Sequence, residues 1–302
     1  MTSWPWMKQQ TVALADPPIA PICADDERPA VRDLIAKHRL VLDELAQELS
    51  TSDETKALFD KTKHDDLWIL RFVLSHKGHY KQALHAAVHT LQFRAEHHLD
   101  DKDIRAFPPG PLAQDASFQK YFASIQDECF IFDIPHPQRG VVVFLMGTGF
   151  DQQDLQHLEY TDRVQAFCYI SEWTHQWLDY VTRTTGRLTK SCRLLDVKGV
   201  GLKDANYETL RLEAKAIATM EDCYPQLLET FYIVNPPSWV AIPWKIMRPL
   251  LPSRVVHKID FVAPGKSKKE RQRLREFVQE KHLPVEYGGE RVIFVQKEKS
   301  CK

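Results

Sequence analysis

The residues best suited to chemistry in this sequence are its thirteen histidines and six cysteines. His85 and His89 stand four apart, one helical turn, so that two imidazoles can chelate one metal ion. No third ligand is spaced to complete the set, and both lie beside the Leu84/Val88 stripe, towards the solvated side. They read as surface histidines, and no metal is expected. Cys23, Cys129, Cys168, Cys192, Cys223 and Cys301 are widely spaced, with no C-x-x-C pair. That pattern reads as reduced thiols in a cytosolic protein rather than a disulfide framework. A Cys–His pair brought together by folding stays open, but no local signature supports it. No G-x-S-x-G elbow, H-E-x-x-H, P-loop or complete G-x-G-x-x-G is present. Gly147-Thr148-Gly149 and Gly199-Val200-Gly201 each lack the third glycine and read as tight turns after strands. No catalytic residue is assigned, and the chain is not expected to be an enzyme.

What the sequence does arrange is apolar surface. Its 302 residues suggest one large domain or two modest ones. A composition of 43% hydrophobic and 27% charged residues is ordinary for a globular protein. A net charge of −1 offers no basic surface for nucleic acid. Met1–Gln10 lacks the charged-then-apolar pattern of a secretory signal. No run approaches the ~18 apolar residues of a membrane span, so any membrane contact is expected to be peripheral.

Residues 1–28 read as an irregular, Pro-rich arm, and residues 29–110 as a helical region. Within it, 29–63 has Leu34, Val41, Leu42, Leu45 and Leu49 at helical intervals. Asp65 and Asp66 stand ahead of Leu67–Leu74, where carboxylates can accept the free N–H groups of a helix start, and Gly78 is a stop. A further helix spans Tyr80–His98, with Leu84, Val88, Leu91 and Ala95 on one face, before prolines 108, 109 and 111. Residues 111–296 change character, and 297–302 form a tail. β-rich runs appear at Cys129–Ile134, Val141–Met146, Cys192–Val197, Thr230–Val234, Val256–Val262 and Arg291–Val295. Helical patterns lie between them at 161–184, 204–221 and 268–280. Cys192–Val197, helix 204–221 and Thr230–Val234 make one βαβ unit, which implies parallel strands. The class is α/β: a helical N-terminal region, then a mixed, mostly parallel sheet flanked by helices.

Several blocks resemble one family. At 65–100, D-D-L-W-I-L-R-F-V-L-S-H-K-G-H-Y and F-R-A-E-H-H-L-D resemble the N-terminal segment of the CRAL-TRIO (Sec14-like) family, through Leu70-Arg71-Phe72 and Phe93-Arg94. Leu194-Leu195-Asp196-Val197-Lys198-Gly199 resembles its strand ending in D-x-x-G. Tyr224-Pro225 with Phe231–Pro237 resembles its Y-P-E…Y-I-I-N-A-P. Trp244–Leu251 resembles W-K-L-I-K-P-F-L, and His257-Lys258-Ile259 with Leu283–Gly289 resembles S-K-I and L-P-x-E-Y-G-G. The blocks keep the family's order over about residues 65–290.

The resemblance implies a sheet that floors an apolar pocket, with Leu195, Val197, Tyr232 and Val234 as pocket strands. It implies a mobile gate helix over residues 238–251, carrying Trp239, Val240, Ile242, Trp244, Ile246, Met247, Leu250 and Leu251. Pro243 departs from the family's pattern and begins or kinks that helix. The implied function is to hold a phospholipid in a closed pocket and exchange it at membranes, with the ligand chemically unchanged. Family members that bind phosphatidylinositol place a base, an acid and a lysine at positions that here are His76, with Lys77 beside it, Gln226 and Lys258. Lys258 is retained; His76 and Gln226 differ in kind. The alternative is another hydrophobic ligand: a tocopherol, retinoid, sterol or haem. Haem needs a His, Tyr or Cys facing the pocket, for which Cys168, Tyr169 and His175 are the candidates; it is not favoured, and no cofactor is expected. Lys266, Lys268, Lys269 and Arg271 form a cationic run suited to docking on an anionic membrane. A monomer in the cytoplasm, in transient contact with membranes, is expected.

Overall fold

The computed structural model describes residues 26–100, 103, 158–201, 206–265, 267–275, 280, 283 and 285–290, and the backbone of 130–136 and 140–146. The Pro-rich start, the tail, the Arg291–Val295 run, Cys23, Cys129, Cys301, Gly147–Gly149, Lys266 and the side chain of Tyr169 lie outside the described residues.

Three helices open the fold: α1 (Val31–Thr51), α2 (Asp66–Ser75) and α3 (Tyr80–Glu96). The helix expected over 29–63 stops at Thr51. The hydroxyls of Ser50 and Thr51 there bond back to the Gln47 carbonyl, and such local bonds compete with helix propagation. Asp65 caps α2 by accepting from the Trp68 N–H at 3.1 Å. Leu42, Leu45 and Leu49 of α1, Leu67–Leu70, Phe72 and Val73 of α2 and Ala83, Ala87 and Leu91 of α3 form the core of this region. On α3 the buried face is turned from the expected stripe. Alanines 83, 86 and 87 face inward, Leu84 and Val88 are partly buried and Ala95 is exposed. Small side chains let α3 approach its neighbours closely.

Asp26–Arg28, read from the sequence as the end of the arm, are tied down. Arg28 donates to Thr189 Oγ1 at 2.7 Å and to Asp26 at 2.8 Å. Ala30 bridges Arg187, and the Leu188 N–H donates to the Pro29 carbonyl at 2.9 Å.

Among the described residues, the second half is a five-stranded sheet in chain order: β1 (Phe130–His136), β2 (Gly140–Met146), β3 (Ser191–Asp196), β4 (Leu228–Val234) and β5 (Ile259–Val262). β1 is antiparallel to β2, and the other neighbours are parallel. Long crossovers supply α4 (Tyr160–Thr185) between β2 and β3 and α5 (Tyr207–Cys223) between β3 and β4. After β4 come a 3-10 turn (Ser238–Val240), α6 (Ala241–Met247), a second 3-10 turn (Arg248–Leu250) and the short α7 (Ser253–Val256). The strand expected from Val256 therefore begins at Ile259: Val255 and His257 bond back to Pro252 and Ser253 in a helical turn. α8 (Lys268–Arg275) follows β5.

A parallel sheet covered on both faces must sort its side chains by alternation. Cys192, Leu194, Tyr232, Val234 and Val262 face Leu274 of α8, Leu283 and Tyr287 in a solid core. Tyr287 donates to Asp196 Oδ2 at 2.5 Å, and Asn235 donates to the same oxygen at 2.9 Å. Asp196 Oδ1 accepts the Lys198 N–H at 2.8 Å, which holds the turn into Gly199 at φ +85°. Behind Tyr287, a β-carbon on Gly289 would sit 2.0 Å from the Leu283 carbonyl oxygen, so only glycine fits.

Candidate ligand cavity

The other face of the sheet is not packed solid. Arg193, Leu195 and Val197 from β3 and its end, Phe231 and Ile233 from β4, and Ile259 and Phe261 from β5 floor a cavity of about 340 Å³. Phe167 and Ser171 of α4 and Leu210, Ile217 and Met220 of α5 wall it. Trp239, Val240, Pro243, Trp244, Met247, Leu251 and Val255 roof it. The volume falls at the lower end of the roughly 300–1,000 Å³ usual for ligand sites, and the lining is mostly apolar as such sites require.

Every expected lid residue lies over or beside this cavity, but with two faces. Trp239, Val240, Trp244, Met247 and Leu251 line it, with the Trp244 ring edge-on to Phe261 at 5.5 Å between centroids. Ile242 and Leu250 point away and are 52% and 41% exposed, while Ile246 is half-buried. The expected single gate helix is a 3-10/α/3-10 run with Pro243 buried against the cavity.

Two of the four expected pocket strand residues correct by one position. Tyr232 and Val234 face the solid core, while Phe231 and Ile233 face the cavity. The parallel register sets Leu195 beside Ile233, so the residues flanking Ile233 must point to the opposite side.

His76, Lys77 and Gln226 are brought together. Gln226 donates to Ser75 Oγ at 3.1 Å, next to His76 and Lys77 at the end of α2. His76 Nδ1 lies 3.0 Å from the Phe72 carbonyl. Gln226 (φ +61°) and Lys77 (φ +52°) both adopt the left-handed backbone. Lys258 is half-buried in the turn before β5, with Nζ 3.6 Å from Glu221. Burial lowers the Lys258 pKa, and Glu221 opposes the shift. Glu221 also meets Arg254 at 3.4 Å. Glu213 lines the cavity and pairs with Arg163. Its carboxyl is pushed up to about 7 by burial, against the pull of Arg163.

Of the candidate haem ligands, Cys168 and His175 are not part of this lining. His175 packs against Tyr224 at 5.8 Å, its pKa lowered to about 4 by burial. Cys168 Sγ lies 3.8 Å from the Tyr224 hydroxyl. Cys168, Cys192 and Cys223 are buried thiols, and Cys223 Sγ lies 3.8 Å from His89 Nδ1. His85 and His89 are exposed, and no group of three or more potential metal ligands occurs among the described residues. On α8, Lys268 and Lys269 are exposed, whereas Arg271 reaches the Pro264 carbonyl at 3.4 Å. Among the described residues, no helix is long and apolar enough to cross a membrane.

Sequence reasoning missed Arg193, which projects into the cavity from the middle of β3. The signal was present, since period-two alternation places it on the face of Leu195. It also missed the seam that fastens the N-terminal helices to the sheet domain. There Arg94 of α3 holds Glu172 of α4 through two bonds of 2.8 and 3.2 Å and reaches Asp100 at 2.6 Å. Tyr224 donates to Glu172 at 2.9 Å.

Residues 129–289, more than half of the sequence, match the CRAL/TRIO domain. The chain belongs to the CRAL/TRIO family. Sec14 cytosolic factor of Schizosaccharomyces pombe is 24% identical over 261 residues, covering 85% of this chain and 83% of that one. Patellin-5 of Arabidopsis thaliana is 26% identical over 148 residues, 46% of this chain but only 21% of that longer protein. The phosphatidylinositol/phosphatidylcholine transfer protein SFH12 of the same plant is 29% identical over 102 residues, covering 34% of this chain and 18% of that one. The crystal structure of Sfh5 shares the fold, with a TM-score of 0.52 at 13% identity, over 84% of this chain and 88% of that one. Membership fixes the CRAL/TRIO architecture and the coarse role of binding lipid.

Proposed function

We propose that this CRAL/TRIO protein is a carrier that holds a phospholipid in the cavity beneath residues 238–251 and exchanges it at membrane surfaces. The observation that carries this reading is the void itself: an apolar chamber in a fold whose opposite sheet face is packed solid. Each buried CH₂ is worth about 0.8 kcal/mol, so about thirty of them in a two-chain lipid cost roughly 20 kcal/mol to leave in water. A carrier must therefore open where lipid, not water, wets the opening.

The lid suits that task. Trp239, Trp244 and Met247 face inward, while Ile242 and Leu250 already face out. The volume is at the low end for a ligand, so a two-chain guest requires the lid to swing outward. Its outer apolar residues then enter the bilayer. Lys268, Lys269, Arg271 and Lys266 are the proposed docking cations, at about 1 kcal/mol each near an anionic surface. Lys258, with the trio of His76, Lys77 and Gln226, is the proposed head-group set, with phosphatidylinositol as the finer expectation. The protein acts in the cytoplasm as a monomer in transient membrane contact, and breaks no bond in its ligand.

The test is transfer between liposomes. Catalytic amounts of protein should accelerate movement of labelled phospholipid from donor to acceptor vesicles at least tenfold over the spontaneous rate. Unchanged exchange for phosphatidylinositol and phosphatidylcholine alike would remove the carrier reading.

A further inference from the structure

Arg193 stands in the interior of β3, a position normally given to an apolar residue in a parallel sheet. Its side chain lies on the cavity face with Leu195 and Val197. Its Nε is shut off from solvent and has no hydrogen-bond partner. The carboxylate whose charge reaches it is Glu221, but Glu221 is already within 3.4 Å of Arg254 and 3.6 Å of Lys258. Asp222 is half exposed and serves Arg254, and Glu229, also half exposed, pairs with Lys190 while its charge reaches Lys258. Four cations (Arg193, Arg254, Lys258 and Lys190) thus share three carboxylates at one end of the cavity, and Arg193 is the member with no direct partner among the described residues. Burying a guanidinium without a counter-ion is costly, and an arginine presents a planar fork matched to an oxyanion.

We propose that Arg193 is an anion anchor inside the cavity, and that the guest is an amphiphile carrying an oxyanion, a phosphodiester or a carboxylate, beside its apolar chains. This rests on the carrier reading above and narrows it. Guests of equal chain content without an oxyanion leave the surplus charge unpaired and bind worse. Pairing to the fork is bidentate, so lysine at the same place keeps the charge but loses the geometry.

Binding of phosphatidylinositol, palmitate and diolein to the full-length protein, each from detergent-free vesicles, separates the cases. The wild type should take phosphatidylinositol or palmitate at least tenfold more tightly than diolein. Whichever of the two anions is preferred assigns the oxyanion to a phosphodiester or to a carboxylate. Arg193→Gln should erase that preference while leaving diolein binding within twofold, and Arg193→Lys should retain part of it. Without ligand, Arg193→Gln should melt no lower than the wild type, because it removes an uncompensated buried charge. Equal binding of diolein and the anions by the wild type overturns the proposal. So does a preference that survives in Arg193→Gln, or a large drop in the melting temperature of that variant, which would make the arginine structural. If the wild type takes none of the three lipids, the carrier reading itself falls.

Discussion

Replacing Glu172 by alanine is expected to destabilise the fold by about 3–5 kcal/mol, the usual cost of stripping one partner from a buried ion pair. Glu172 is 1% exposed. It receives Arg94 through two bonds, Tyr224 through one and Gln176 at 2.9 Å. Its loss leaves the Arg94 guanidinium with Asp100 as its one remaining carboxylate among the described residues, and leaves the Tyr224 hydroxyl without its 2.9 Å acceptor. Leucine at both Arg94 and Glu172 should cost clearly less than the two single losses added, since no lone charge then remains. Urea unfolding of the four proteins measures this, and simple additivity would contradict it.

The same seam sets the acid limit. Burial raises the Glu172 carboxyl, but Arg94 and His175 outweigh it and hold its pKa below the ordinary value. Burial also raises Asp100, but the neighbouring His64 and Arg94 outweigh it, so it too is lowered. Carboxyls depressed in the folded state contribute stability that is present above their unfolded pKa, near 4, and lost as pH falls through the folded values. The stability carried by these carboxyls should therefore hold at neutral pH and fall below about pH 4, while His175, kept neutral by burial, adds a loss that begins as pH falls through 6.5.

The second large effect is on transfer. Ile233→Trp, at the centre of the cavity floor beside Leu195 and Phe261, should fill the void from below. Lipid exchange should fall at least tenfold. Overpacking costs about 1–3 kcal/mol where a core is already dense, but here the indole enters empty space, so unfolding should shift by less than that. Tyr232→Trp, one residue away on the packed face, should do the reverse: it should destabilise the protein and spare exchange in what remains folded. If Ile233→Trp still exchanges lipid at the wild-type rate, the cavity is not the binding site.

Much of this was legible in the sequence because it is local. Asp65 ahead of Leu67–Leu74 gave a helix start that the Trp68 N–H bond matches. Two short β-rich runs around the 204–221 periodicity gave a parallel βαβ unit. The apolar lid from Trp239 to Leu251 could be read from composition, though its division into inner and outer faces could not, because Pro243 and the 3-10 turns break the simple helical period. Which face of β4 meets the cavity depends on register against β3, a single-residue matter that no run of apolar residues fixes. Arg94, Glu172 and Tyr224 are separated by 78 and 52 residues, and nothing in their neighbourhoods announces that they meet.

The most direct measurement is native mass spectrometry of the protein purified from the cells that make it, followed by extraction and identification of what it carries. The account predicts a mass excess matching one amphiphile with an oxyanion and long acyl chains, released on denaturation and absent from Ile233→Trp. A bare polypeptide mass for the wild type, unchanged after incubation with phospholipid vesicles, would contradict it.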